Sequence, residues 1–230
     1  MSLNFNRNIW TKNFISATTT AEWLCSKCFQ GSLERVDIRA SENREHFTAI
    51  FQCTNSHCKK QFTTCGKIVF WSKDYGMQMP KVYTGKTTPR YHPFFFYPEI
   101  HLFKIPVACS FEVKREIASA FKHFWSDYDA TLNALRRSLE YLMDQLEIPA
   151  SERLHQRLLQ FGKKYPELDD SIQAVKLMGN AGSHKDIVSK EDVLDAMEIY
   201  YYILCELFPD NRENDIKAKA KKIIEEKGKK

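Results

Sequence analysis

Two closely spaced cysteine pairs constrain this chain more than any other feature: Cys25-Ser-Lys-Cys28 and Cys53-Thr-Asn-Ser-His-Cys58. Zn²⁺ is held by four ligands in a tetrahedron, and a short Cys-to-Cys spacing lets one turn supply two thiolates. The residues between the pairs read as a β-hairpin. Val36 and Ile38 alternate with Asp37 and Arg39, Ser41 to Glu45 form a polar turn, and Phe47, Ala49 and Phe51 alternate on the return. A hairpin that brings the two turns together completes a site, the zinc-ribbon arrangement. The expected cofactor is one structural zinc ion per chain, held by Cys25, Cys28, Cys53 and Cys58 with no open position. Four thiolates and a dication sum to a charge of about −2, and Lys27, Lys59 and Lys60 stand beside them to offset it. A sheet this small has little core, so the metal would contribute much of its folding free energy. Buried free thiols or a redox pair at Cys25 and Cys28 are the alternatives, and His57 or Cys65 is an alternative fourth ligand.

Charge distribution separates the chain into parts. The net +5 over 230 residues hides 14 Lys/Arg against 7 Asp/Glu in residues 1–106, 12 against 18 in 107–211, and 8 against 4 in 212–230. Five of the eight prolines fall in the first stretch, with Gly and β-branched residues around them, whereas the second is rich in Leu, Ala, Glu and Arg. The predicted organisation is a zinc-ribbon β module over 1–87, an aromatic and proline-rich connecting segment over 88–106, a helical bundle over 107–210 and a basic tail over 211–230. Ile68 to Trp71 and Lys81 to Thr84 are further strand candidates in the first module. Leu132, Leu135, Leu139, Leu142 and Leu146 line one helix face, with Ser126 and Asp129 as a capping box. Val193, Met197, Tyr200, Leu204 and Leu207 line another, introduced by Ser189 and Asp192. Weaker periodicity predicts helices from about Phe111 to Trp125, Ser151 to Lys164 and Leu168 to His184. The expected fold class is α+β: a small β zinc ribbon followed by an all-α bundle of four or five helices.

At 43% hydrophobic and 27% charged, the composition excludes a disordered chain. No run approaches the roughly 18 apolar residues of a membrane span; Tyr200 to Phe208 contains Glu206. The first residues, MSLNFNRNIWTKNF, lack an apolar signal core, so the expectation is a cytoplasmic protein with reduced thiols.

The second candidate site is Gly179-Asn180-Ala181-Gly182-Ser183-His184. Asn180 and His184 are four residues apart and would share a helix face. An amide and an imidazole there suit acid–base chemistry on a phosphodiester, with His184 exchanging protons. The competing reading makes both buried polar residues, bonded to neighbours such as Arg136, Arg137 or Glu140.

The run from Ile105-Pro106 through ALRRSLEYL (134–142), KLMGNAGSH (176–184) and SKEDVLDAMEIYYYILCELF (189–208) resembles domain-of-unknown-function family 4145. Its members often begin with a zinc ribbon, so the resemblance spans most of residues 22–208. The family occurs in bacterial and phage genomes, often beside restriction–modification and other defence genes. Its helical domain is similar to the HEPN superfamily, many of whose bundles dimerise. Active HEPN members are metal-independent ribonucleases with an Arg-Asn/Asp-x-x-x-His motif assembled across the dimer. Asn180 and His184 match the polar and histidine positions, but Gly179 stands at the arginine position and cannot neutralise a phosphate. Lys176, Arg136 or Arg137 would have to substitute. The resemblance therefore implies a HEPN-like homodimer that is non-catalytic or not independently catalytic: a nucleic-acid- or partner-recognition scaffold of a defence-type system. The alternatives are a metal-independent endoribonuclease using His184 and a purely protein-binding adaptor.

Two weaker signals complete the reading. Tyr91, Phe94, Phe95, Phe96 and Tyr97 beside Arg90 form either a stacking platform for single-stranded bases or, the preferred expectation, rings buried against the bundle. The tail carries Ile216, Ile223 and Ile224 as a thin apolar stripe among lysines, suited to extending a last helix or binding an acidic surface, with a solvated, frayed terminus the commoner outcome for such a charge run.

Overall fold

The computed structural model describes residues 5–12, 14–16, 22–72, 77–79, 87–149, 153–181, 187–209 and 212–227. After a short helix α1 (Arg7–Thr11) come β1 (Ile15–Ser16), β2 (Leu33–Ala40), β3 (His46–Cys53), β4 (Gln61–Ser72), β5 (Met77–Met79) and β6 (Thr87–Tyr97). Helices follow: α2 (Phe111–His123), α3 (Tyr128–Gln145), α4 (Leu154–Lys164), a 3₁₀ turn (Pro166–Leu168), α5 (Asp169–Ala181), α6 (Lys190–Leu207) and α7 (Arg212–Lys227). The class is α+β. Among the described residues no helix is long and apolar enough to cross a membrane.

The strands make one antiparallel sheet in the order β1-β6-β4-β3-β2, with β5 on β4. The expected β2–β3 hairpin is present, pairing Leu33 with Cys53 through to Ala40 with Phe47. Its register shifts between Arg35 and Asp37, which turns Val36 out to solvent and breaks the alternation expected of Val36 and Ile38. The candidate strand at 68–71 is part of the longer β4; the one at 81–84 lies outside the described residues.

Residues 88–97 of the stretch expected to connect the two halves form β6, in the middle of the sheet between β1 and β4. Prolines argue against a central strand because they cannot donate to the ladder. Here Pro93 sits at a bulge opposite Gly66, and β1 pairs only with Arg90 and Tyr91. Neither proline interrupts a complete ladder on both sides. A side chain at Gly66 would collide with the His92 carbonyl, so glycine is what allows the bulge to close.

The helical half follows its periodicity. Leu132, Leu135, Leu139 and Leu142 are buried on α3, and Val193, Met197, Tyr200 and Leu204 on α6. Ser189 and Asp192 form the reciprocal capping box of α6, whereas α3 is capped by Asp127, whose carboxylate accepts from the Ala130 N–H at 2.8 Å, instead of by Ser126. The three consecutive tyrosines diverge. Tyr200 is buried with its hydroxyl 2.7 Å from Ser138 Oγ, Tyr201 stacks on Phe103, and Tyr202 is half-buried.

Sheet and helices share one hydrophobic core. Trp125, just past α2, meets Trp23 at 4.9 Å and Phe96 at 4.7 Å between ring centroids, and Trp10 of α1 packs on both Phe124 and Trp125. Phe103, after β6, continues the contact to Phe121 and Tyr201. Arg7 ties α1 to α6 through Glu191, Asp195 and Glu198.

Candidate metal centre

The cysteine turns are built by backbone geometry that their sequences dictate. In the first, the Phe29 N–H donates to the Cys25 carbonyl (2.8 Å) and the Cys25 N–H to the Gly31 carbonyl (2.9 Å). In the second, the Cys58 and Lys59 N–H groups donate to the Asn55 carbonyl (3.0 and 3.1 Å), and the Cys53 N–H donates to Lys60 (2.9 Å). The residue after the last cysteine of each turn is left-handed: Phe29 at φ 53° and Lys59 at φ 51°. Asn55 Oδ1 also accepts from the His57 N–H at 2.9 Å, an Asx-type turn that fixes the second loop. Pairing of Leu33 with Cys53 across the hairpin then brings the two turns face to face.

The four Sγ atoms of Cys25, Cys28, Cys53 and Cys58 all lie within 4.8 Å of one another. Cys25 and Cys58 are 3.8 Å apart, Cys28 and Cys53 3.6 Å. Sulfurs at about 2.3 Å from a common tetrahedral centre stand about 3.8 Å apart, so these spacings fit a zinc-sized ion. All four donors are soft thiols, two of them fully buried. Backbone N–H groups point at the sulfurs: those of Lys27 and Cys28 at Cys25, of Gln30 and Gly31 at Cys28, and of Asn55 at Cys53. Such donors stabilise thiolate charge. Burial pushes Cys25 up and Cys53 up to about 12. At Cys28 burial acts in the same direction, but the Gly31 and Gln30 N–H groups and the neighbouring thiols outweigh it and bring the thiol to about 6.

His57 is exposed, and Cys65 lies in the body of β4 between Thr48 and Phe95; neither belongs to the group. Two contributors were not visible in the spacing. Asn55 anchors the second turn and places Nδ2 3.9 Å from Cys28 Sγ. Gly31 packs against the cluster so closely that an added Cβ would fall 2.6 Å from Cys53 Sγ and 2.8 Å from the Asn55 nitrogen. A glycine three residues after a Cys-x-x-Cys turn is the sequence signal for it.

The Gly179–His184 motif is reached only in part. Asn180 is half-buried in the last turn of α5, and His184 lies outside the described residues. An added Cβ at Gly179 would come within 3.1 Å of Arg136 Cβ and 3.4 Å of the Leu132 carbonyl, so glycine lets α5 approach α3. Arg136 is thus the cation beside Gly179, and its buried Nε has no hydrogen-bond partner among the described residues. The other substitutes are engaged elsewhere: Arg137 pairs with Glu116 at 2.8 Å, and Lys176 Nζ lies 3.1 Å from His155 Nδ1.

No curated protein and no solved structure matches the chain. Residues 118–227, from within α2 to the end of α7, match the model of the family described as Domain of unknown function (DUF4145); the sheet and its cysteine cluster lie outside the match.

Proposed function

We propose that this protein is a zinc-ribbon recognition scaffold with a HEPN-like, dimerising helical bundle, serving a bacterial or phage defence-type system. The observation that carries the reading is the four-thiol cluster. Four protein ligands at tetrahedral spacing leave no position for substrate, so the ion holds structure and does no chemistry. The zinc would be bound by Cys25, Cys28, Cys53 and Cys58, and it would fix the end of a sheet that belongs to the basic part of the chain. With 14 Lys/Arg against 7 Asp/Glu, residues 1–106 suit a polyanion even after the metal centre adds its negative charge. The acidic helical half suits assembly with a second copy or a protein partner better than direct contact with nucleic acid.

The test is binding of labelled RNA and DNA by the zinc-loaded protein over a series of salt concentrations, with light scattering for mass. Association that weakens steeply with salt, without cleavage, is the expected result. Failure to bind either nucleic acid at low salt would leave a protein-binding adaptor.

The second reading, a metal-independent ribonuclease using His184, is favoured by one observation: the buried Nε of Arg136, beside Gly179, has no hydrogen-bond partner among the described residues. It predicts RNA cleavage that persists in EDTA and is lost in both His184→Ala and Arg136→Ala.

A further inference from the structure

The rings of β6 divide between the two faces of the sheet. Phe96 is buried in the shared core, whereas Phe94, Phe95 and Tyr97 stand 38%, 42% and 75% exposed. Register explains the division. Residues two apart on a strand share a face, so Phe95 and Tyr97 point away from the bundle while Phe96 points into it. The bulge opposite Cys65 and Gly66 adds Phe94 to the outer side.

The neighbours on that outer face follow from the pairing. Tyr97 lies beside Thr63 and Ile50, and Phe95 beside Cys65 and Thr48. The next row holds His92, Lys67 and His46. Lys67 is exposed; of the acids on this face, Asp37, opposite Ile50, is paired with Arg39 at 2.9 Å, and the exposed Glu34 stands one row further out, opposite Gln52. A hollow of about 420 Å³ opens at the end of the face, lined by Ala40, Ser41, His46, Thr48, Cys65 and Phe94. The surface therefore combines flat apolar rings, hydroxyls and an exposed ammonium group, and the carboxylate in the row of Tyr97, Asp37, is already neutralised.

We infer that this outer face is a binding platform for single-stranded nucleic acid, with Phe95 and Tyr97 each stacking one base and Lys67 contacting a phosphate. The inference deepens the nucleic-acid reading of the basic half and rests on it. Side chains two residues apart on a strand are separated by about 7 Å, so one base per ring requires neighbouring bases to be unstacked. A single strand can do this; a duplex cannot without melting. Base–aromatic stacking tolerates any sequence, because every base has a π-face. The hydroxyls of Thr48 and Thr63 lie where base edges or sugars would pass, and the chain's positive half supplies the field that draws the strand in.

The experiment is fluorescence anisotropy with short labelled oligouridylate and oligothymidylate over a salt series, on the full-length zinc-loaded protein. Variants are Phe95→Ala/Tyr97→Ala, Tyr97→Trp and Lys67→Ala. Because the rings are exposed, the double variant is expected to keep the wild-type circular dichroism and melting temperature. It should bind about 30-fold more weakly or worse, since each lost ring removes one stacked base, while the slope of log K against log salt stays unchanged. Tyr97→Trp should keep the affinity. Lys67→Ala should lower the salt slope by about 0.7, the loss of one phosphate contact to a single strand. If the wild-type protein binds neither oligonucleotide at low salt, the inference and the nucleic-acid reading fall together. If it binds and the double variant binds equally well, the inference alone falls and the strand runs elsewhere. A double variant that changes from dimer to monomer with unaltered oligonucleotide affinity would make this face a self-interface and overturn the assignment.

Discussion

Gly31→Ala is the sharpest probe of the metal centre, because it adds one methyl group and removes no ligand. The new Cβ would lie 2.6 Å from Cys53 Sγ, where ordinary contacts begin at 3.4 Å. The sulfur must therefore retreat by about 1 Å, whereas ligand distances in a working site hold to about 0.2 Å. The glycine side has no room either, because the Asn55 backbone nitrogen stands 2.8 Å from the same methyl. No left-handed backbone is involved at Gly31, so the effect is steric alone. Overpacking of this size costs about 1–3 kcal/mol, which is about 5- to 150-fold in affinity for a site whose geometry is the thing disturbed. Competition against a chromophoric zinc chelator measures it directly. Zinc affinity and melting temperature both equal to wild type would refute the reasoning, since the sulfur position would then not be constrained by the metal.

Other expectations follow from the core and from one histidine. Trp125→Ala should cost about 3–5 kcal/mol and convert a single denaturation transition into two, because Trp125 joins Trp23 and Phe96 of the sheet side to the helices; intrinsic fluorescence and circular dichroism followed together in denaturant would show it. Tyr200→Phe removes a buried hydroxyl 2.7 Å from Ser138 Oγ and should lower stability by about 1–2 kcal/mol, read from the denaturation midpoint. His92 is held neutral by burial, reinforced by Lys67, Arg90 and Lys190, with its pKa lowered to about 4. The unfolded chain, at the ordinary value near 6.5, takes up a proton that the folded chain refuses. Its contribution is therefore present above about pH 6.5 and lost as pH falls towards 4, amounting to about 1–2 kcal/mol after allowance for partial exposure. His92→Gln should flatten that part of the stability–pH curve; an unchanged slope would show that His92 is not the group responsible.

The parts of the molecule legible in sequence were those governed by local rules. Two short cysteine spacings around an alternating hairpin were enough to bring four thiols together, and the leucine stripe of α3 and the capping box of α6 follow from helical period and end chemistry. Long-range pairing was not legible. Pro89 and Pro93 disguise β6 as a connector, because nothing local reveals that one proline falls at a bulge and the other beyond the reach of β1. For the same reason Phe95 and Phe96 could not be assigned to opposite faces, since side-chain direction depends on register with β4. The importance of Gly31 lies in what it touches, Cys53 and Asn55, and not in its own chemistry, so its sequence position does not reveal the contact. Gly179 stands in sequence as a missing arginine, but its packing against Arg136 depends on how closely α5 and α3 approach.

The most direct test of the central claim is X-ray absorption at the zinc edge of the purified protein, with metal content measured on the same sample. One zinc per chain and a first shell of four sulfurs at about 2.3 Å are expected, as the 3.6 and 3.8 Å spacings between paired Sγ atoms require. A shell containing nitrogen or oxygen, or protein that folds normally without the metal, would contradict it.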